Sequence, residues 1–215
     1  MRKALVALAT TAVFGLGWTS GQVFSQDKEE EGKPKPPEEG APPAMSEEDM
    51  KEMEAMMKAG TPTEPHKKMA AMDGEWVVTG KMWMAPDKPA MEFTGTAKNR
   101  MLFDGRYQVQ EFDSAFMGMP FQGFGVTGYD NMTKEYVSIW LDSMSTAVMV
   151  SRGKADESGQ PTYVGEFVDG MGRKQVMRMK EKLVDKDTMN FEAWNKSPKF
   201  PDEFKSMEMT YKRKK

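Results

Sequence analysis

The sequence contains no cysteine and a single histidine, His66. The first absence excludes disulfides, thiolate metal sites, a cysteine nucleophile and the lipid-modified cysteine of a bacterial lipoprotein. The second leaves no material for a multi-histidine metal site, and no Ser-His-Asp triad away from His66. Clustered basic charge is also missing. The net charge is −3 over 215 residues, and basic residues run together only at Lys212 to Lys215, so the basic face that nucleic-acid binding requires is absent. The one continuous apolar run, Ala4 to Trp18, is too short for a helix that crosses a bilayer.

That run follows Met1-Arg2-Lys3 and precedes Val23-Phe24-Ser25, which is the layout of a secretory signal. Residues 1–25 are therefore expected to be cleaved after Ser25, leaving no transmembrane span and an exported protein, periplasmic or secreted. Residues 26–45 read as a disordered linker. Asp27 to Ala44 is rich in Glu, Lys, Pro and Gly without an aromatic or β-branched residue, and cannot bury enough apolar surface to offset its ordering entropy. Asp27 to Lys58 holds eleven acids against five lysines, a local charge of −6, so the acidity of the chain belongs to this tether.

Residues 46–60 carry a helix signal: Ser46 as N-cap, Glu47, Glu48 and Asp49 in the first turn, Gly60 as the stop. Met50, Met53, Met56 and Met57 share one face of it. The stripe reads as an amphipathic surface that docks on the domain or on a partner, since Met suits irregular contacts. The sharper alternative is a copper(I) site, because thioethers select that ion. Thr61-Pro62-Thr63-Glu64-Pro65-His66 opens a second short helix through Met72. His66 in its first turn is expected to be a neutral packing or hydrogen-bonding residue, with a metal or haem role as the alternative.

From Glu75 the periodicity changes to two. Alternating stretches follow one another to Arg213, separated by turn signals such as Asp104-Gly105 and Asp156-Glu157-Ser158-Gly159. Broken alternation between Val109 and Phe112 predicts a bulge near Gln110-Glu111, and Asn195 to Phe204 reads as a polar loop. Residues 61–215 are thus expected to form an all-β domain, an up-and-down antiparallel barrel of about ten strands preceded by one or two short helices.

A barrel of that size either packs solid or holds one small ligand. In the hairpin Met117 to Met144 the strand Tyr136 to Asp142 has two partly apolar faces, and periodicity does not choose between them. If Tyr136, Ser138, Trp140 and Asp142 face inward, Trp140, Met179, Met149 and Phe93 would contact a ligand, and Asp142, Gln110 or Glu181 would orient it. Inward carboxylates must be paired, hydrated or neutralised, with Tyr107 or Arg106 as expected partners. No nucleophile, phosphate loop or metal triad accompanies these residues, so neither an enzyme nor a bound cofactor is expected. The reading is a module for a small apolar or amphipathic ligand. Its alternatives are a solid-barrel envelope protein that engages a partner through the Met-rich helix, and a copper(I) or haem protein.

Pro65-His66-Lys67, Asp73-Gly74-Glu75-Trp76, Lys81-Met82-Trp83 and Gly105-Arg106-Tyr107 resemble the bacterial family catalogued as domain of unknown function 1579. So do Gly118-Met119-Pro120-Phe121, Gly128-Tyr129-Asp130 and Trp140-Leu141-Asp142. That family has no assigned activity. More distantly, a short helix followed by Gly74-Glu75-Trp76 is similar to the calycins: lipocalins, fatty-acid-binding proteins and haem-binding nitrobindins. The resemblance implies a calycin-like barrel in which Gly74 and Trp76 are structural and Trp76 plugs one end. Nitrobindin haem chemistry uses a strand-borne histidine, whereas His66 lies on the helix before the barrel.

Overall fold

The computed structural model describes residues 45–215. The expected leader and all but the last residue of the tether lie outside the described residues. Two helices, α1 (Glu47–Ala59) and α2 (Glu64–Ala70), precede ten strands. These are β1 (Gly74–Met82), β2 (Met91–Leu102), β3 (Tyr107–Phe116), β4 (Met119–Asp130) and β5 (Glu135–Asp142), followed by β6 (Met149–Ala155), β7 (Pro161–Val168), β8 (Lys174–Asp185), β9 (Thr188–Lys196) and β10 (Phe204–Arg213). Every strand pairs antiparallel with its sequence neighbour, and β1 pairs with β10 to close the barrel. Closure leaves no strand edge among them, which is how a meander of this length avoids unpaired backbone.

Local chemistry accounts for the boundaries. The Ser46 hydroxyl accepts the Asp49 N–H at 3.1 Å, and the Asp49 carboxylate accepts the Ser46 N–H at 3.0 Å. Two donors at the start of α1 are thereby satisfied reciprocally, with Asp49 in the place usually held by Glu. At α2 the reciprocal bond comes from His66, whose Nδ1 accepts the Thr63 N–H at 2.9 Å. Asp104 and Gly105 both take positive φ in the β2–β3 turn, as that dipeptide predicts.

The expected bulge near Gln110-Glu111 is absent. Register runs unbroken from Gly95↔Ser114 to Leu102↔Tyr107 on one side of β3, and across its full length on the other. The alternation breaks because Val109, an outward residue, is itself buried on the outer wall. β9 runs to Lys196, so Asn195 is a strand residue rather than the start of a loop.

One end of the barrel is plugged. α2 packs against β2, β3 and β4 at the end where β1 begins. Carbonyls at its end and in the turn that follows are met by side chains from inside the barrel. Trp76 Nε1 and Asn99 Nδ2 donate to the Met72 carbonyl at 2.9 and 3.0 Å, and Gln108 Nε2 donates to that of Met69 at 2.6 Å. The Arg213 guanidinium lies over the Trp76 ring, 4.2 Å from its centroid, and donates to the Ala71 and Asp73 carbonyls. Trp76 is fully buried in a cluster with Met72, Val78, Ala97, Phe112, Met189 and Tyr211.

Candidate functional site: the barrel interior and its open end

Alternation along the strands divides the lining into two zones. Beneath α2 the inward residues are buried, among them Trp76, Ala97, Asn99, Tyr136, Tyr163, Met179, Met189 and Tyr211. Toward the opposite end they are half-buried: Phe93, Phe121, Trp140, Met149, Met177, Phe191, Met207 and Met209 all keep accessible surface. The lining is packed at one end and more accessible at the other. Four of the five connections around the mouth carry an exposed methionine: Met84 on β1–β2, Met117 on β3–β4, Met144 on β5–β6 and Met171 on β7–β8.

The structure resolves the ambiguity in β5. Burial falls on Tyr136, Ser138, Trp140 and Asp142, while Ile139 and Leu141 are exposed on the outer wall. The Trp140 indole lies across the inner face of β4, over Gly123 and Gly125, and edge-on to Phe112. Its Nε1 donates to the Asp142 carboxylate at 3.2 Å, and the other Asp142 oxygen accepts the Met144 N–H at 3.0 Å. Asp142 therefore pins the indole and closes the following turn.

Of the other residues expected to form a site, Phe93 and Met149 line the mouth, and Met179 sits deeper against Tyr136 and Tyr163. Gln110 belongs to the plug, where it donates to Asn99 Oδ1 at 3.1 Å. Gly74 opens β1 at φ +115°, where a Cβ would sit 3.0 Å from the Arg213 guanidinium.

Glu181 stands apart. It projects into the interior from β8 between Met179 and Leu183, opposite Phe191 on β9. No hydrogen bond from a described residue offsets its desolvation, and burial alone pushes its pKa up from 4.5 to about 7. The expected partners do not reach it. Tyr107 is exposed on the outer wall, and Arg106 turns to the Phe103 carbonyl at 2.7 Å. Burial raises the pKa of Tyr136, Tyr163 and Tyr211 on three other strands, and the Glu181 carboxylate adds to each rise. Nearer the mouth, Asn195 Oδ1 is buried without a partner. The buried Asn195 oxygen and the half-buried Glu181 carboxyl thus both lack a donor from the described residues in an otherwise methionine- and aromatic-rich lining. Asn195, Met177, Phe191 and Met209 were missed in the sequence; the inward phase of β9 and β10 was the signal for the last two.

His66 is buried, with Nδ1 committed to Thr63 and the Tyr129 ring edge-on 5.8 Å away. Desolvation holds its pKa below the ordinary value. Met50, Met53, Met56 and Met57 are exposed on α1, and no group of three or more His, Cys, Asp or Glu is arranged to hold a metal among the described residues.

Among solved structures, an S-type phycobiliprotein lyase from Guillardia theta is similar in fold, with a TM-score of 0.48 and 12% identity. The match covers 74% of this chain and 97% of that one. No curated protein matches the sequence. A family model matches residues 61–213, which takes in α2 and the whole barrel. The chain belongs to the family described as "Protein of unknown function (DUF1579)".

Proposed function

We propose that this is an exported binding protein whose barrel takes up a small amphipathic molecule, with an apolar body in the methionine- and aromatic-lined mouth and a hydrogen-bond donor or cationic head reaching Glu181. The carrying observation is the Glu181 carboxyl, half-buried on the inner face of β8 and without a donor from the described residues. A buried acceptor left open is costly to the folded chain, and a ligand head that donates to it recovers that cost. Asn195 Oδ1 supplies a second acceptor along the same route. The half-buried mouth provides the apolar contact, and Trp140, held by Asp142, offers a flat wall for it.

Titration of the protein with dodecylamine, dodecanol and dodecanoate, followed by calorimetry, tests the reading. The amine is expected to bind most tightly and the carboxylate least, and Glu181→Gln should remove the preference for the amine. Absence of saturable binding by all three, or an order unchanged in Glu181→Gln, would overturn it.

A further inference from the structure

Methionine is ordinarily a buried residue, and half of those among the described residues are not. Eleven are between 41% and 78% exposed, whereas Met69, Met72, Met179 and Met189 are exposed by 9% or less. The exposed set falls in three places. Met45 precedes α1, and Met50, Met53, Met56 and Met57 lie on it. Met84, Met117, Met119, Met144 and Met171 surround the mouth, and Met132 stands in the β4–β5 turn at the plugged end. Neither packed cluster of the barrel contains any of the eleven.

Nor does the local backbone ask for them. Three turns share the pattern Asp-x-Met, in which the carboxylate accepts the Met N–H two residues on. The distances are 2.7 Å from Asp130 to Met132, 3.0 Å from Asp142 to Met144 and 2.9 Å from Asp169 to Met171. The aspartate sets such a turn and leaves the third side chain free. The same bond at Asp156 and Asp185 places Ser158 and Asp187 at that position, so a polar residue serves it equally well. Met117 takes φ +50°, a conformation that costs an L side chain and favours Gly or Asn, and it is still 75% exposed. At these four sites methionine supplies neither packing nor turn geometry. What remains is its sulfur.

We propose that the exposed methionines are a modification site, a distributed thioether surface that consumes hypohalous acids. No cysteine is present to compete, so the thioether is the most readily oxidised group in the chain. With hypochlorous acid, an S–O bond forms and the O–Cl bond breaks overall. The sulfur loses two electrons, the chlorine gains them and leaves as chloride, and the hydroxyl proton passes to water. The product is methionine sulfoxide, which dedicated reductases return to the thioether. Sulfoxide is polar and disrupts a core, but at these positions it meets water and the barrel is spared. The set lies on α1 and at both ends of the barrel, a spread that suits reaction with a small solute and that no single contact surface would cover.

Stepwise addition of hypochlorite to the full chain tests the proposal. Intact mass counts the oxygens taken up, peptide mapping locates them, and the urea midpoint follows the fold. The eleven exposed methionines are expected to react first with the midpoint unchanged, and the four buried ones only after it falls. Equimolar lysozyme, added as a bystander, should keep its activity until about eleven equivalents per chain are consumed. Changing the same positions Met→Leu should abolish that delay. A methionine sulfoxide reductase with dithiothreitol should return the oxidised parent to its starting mass. Three results would each overturn the proposal: buried and exposed sulfurs oxidised in the same steps, a midpoint that falls before the exposed set is consumed, or equal lysozyme loss beside the parent and the Met→Leu chain. The mapping on the parent stands whether or not the Met→Leu chain folds, and none of these outcomes depends on what the barrel binds.

Discussion

The Trp140 indole rests on the bare backbone of Gly123. A Cβ built at Gly123 would sit 2.3 Å from Cζ2 of that ring, and one at Gly125 would sit 3.2 Å from Cε3. The two glycines are spaced to leave the inner face of β4 flat beneath the indole, while Asp142 holds its N–H from the other side. Gly123→Ala forces the ring off this surface. The expected cost is about 1–3 kcal/mol, the range for overpacking a fixed site, with a displaced Trp140 Nε1–H resonance. Urea denaturation together with the indole region of a proton–nitrogen spectrum checks both. An unmoved resonance would show that the glycines do not position the indole.

Glu181 makes stability depend on pH in a direction opposite to an ordinary surface carboxylate. Its folded pKa is about 7 against a reference of 4.5. Below pH 4.5 the group is protonated in both folded and unfolded chains, and burial costs no charge. Between 4.5 and about 7 the unfolded chain releases its proton first, so stability falls as pH rises, and the full loss stands above 7. Glu181→Gln removes the effect. The variant should match the parent at pH 4 and exceed it at pH 8, by on the order of 3 kcal/mol. Urea midpoints at the two pH values provide the measurement.

Asn99 joins the plug to the interior. It donates to the Met72 carbonyl and accepts from Gln110, so Asn99→Ala takes one of two side-chain donors from that carbonyl, which keeps Trp76 Nε1, and leaves the half-buried Gln110 amide without its acceptor. A loss of about 1–3 kcal/mol is expected, seen as a lowered melting temperature. Gln110→Leu removes one end of this chain without touching the mouth. It should leave the affinity for dodecylamine unchanged, whereas Trp140→Ala should weaken it.

The barrel was legible because ten stretches of period two carry turn residues between them, and because Ser46, Asp49 and Asp104-Gly105 have strong local preferences. What escaped the sequence has a common cause. The phase of β5 was undecided and a bulge was inferred in β3 because Val109, Val126, Ile139, Leu141 and Val150 make the outer wall apolar where alternation assumes it is wet. Periodicity measures contrast between faces, and an apolar outer patch erases it. Glu181 was visible as an inward carboxylate, but its isolation depends on Arg106 and Tyr107 turning elsewhere, which no local pattern encodes. Gln110 was placed inside correctly, yet its hydrogen bond to Asn99 is a cross-strand pairing of β2 with β3 and required the register.

His66 sets a second pH response, of opposite sign to that of Glu181. Desolvation holds its folded pKa below 6.5, and its Nδ1 is used as an acceptor by the Thr63 N–H. Above pH 6.5 the imidazole is neutral in both states. As pH falls below 6.5 the unfolded chain takes up the proton while the folded one resists it, so this contribution to stability is lost on acidification. In the parent the Glu181 effect runs against it over the same interval, and the two partly cancel. In Glu181→Gln that opposition is removed, and stability should fall from pH 7 to pH 5. Adding His66→Gln, which keeps an acceptor for Thr63 but cannot titrate, should flatten that slope. Urea midpoints of the single and double variants at pH 5, 6 and 7 measure it. A slope that persists in the double variant would mean that another group carries the acid response and that His66 is protonated as readily in the folded chain as in the unfolded one.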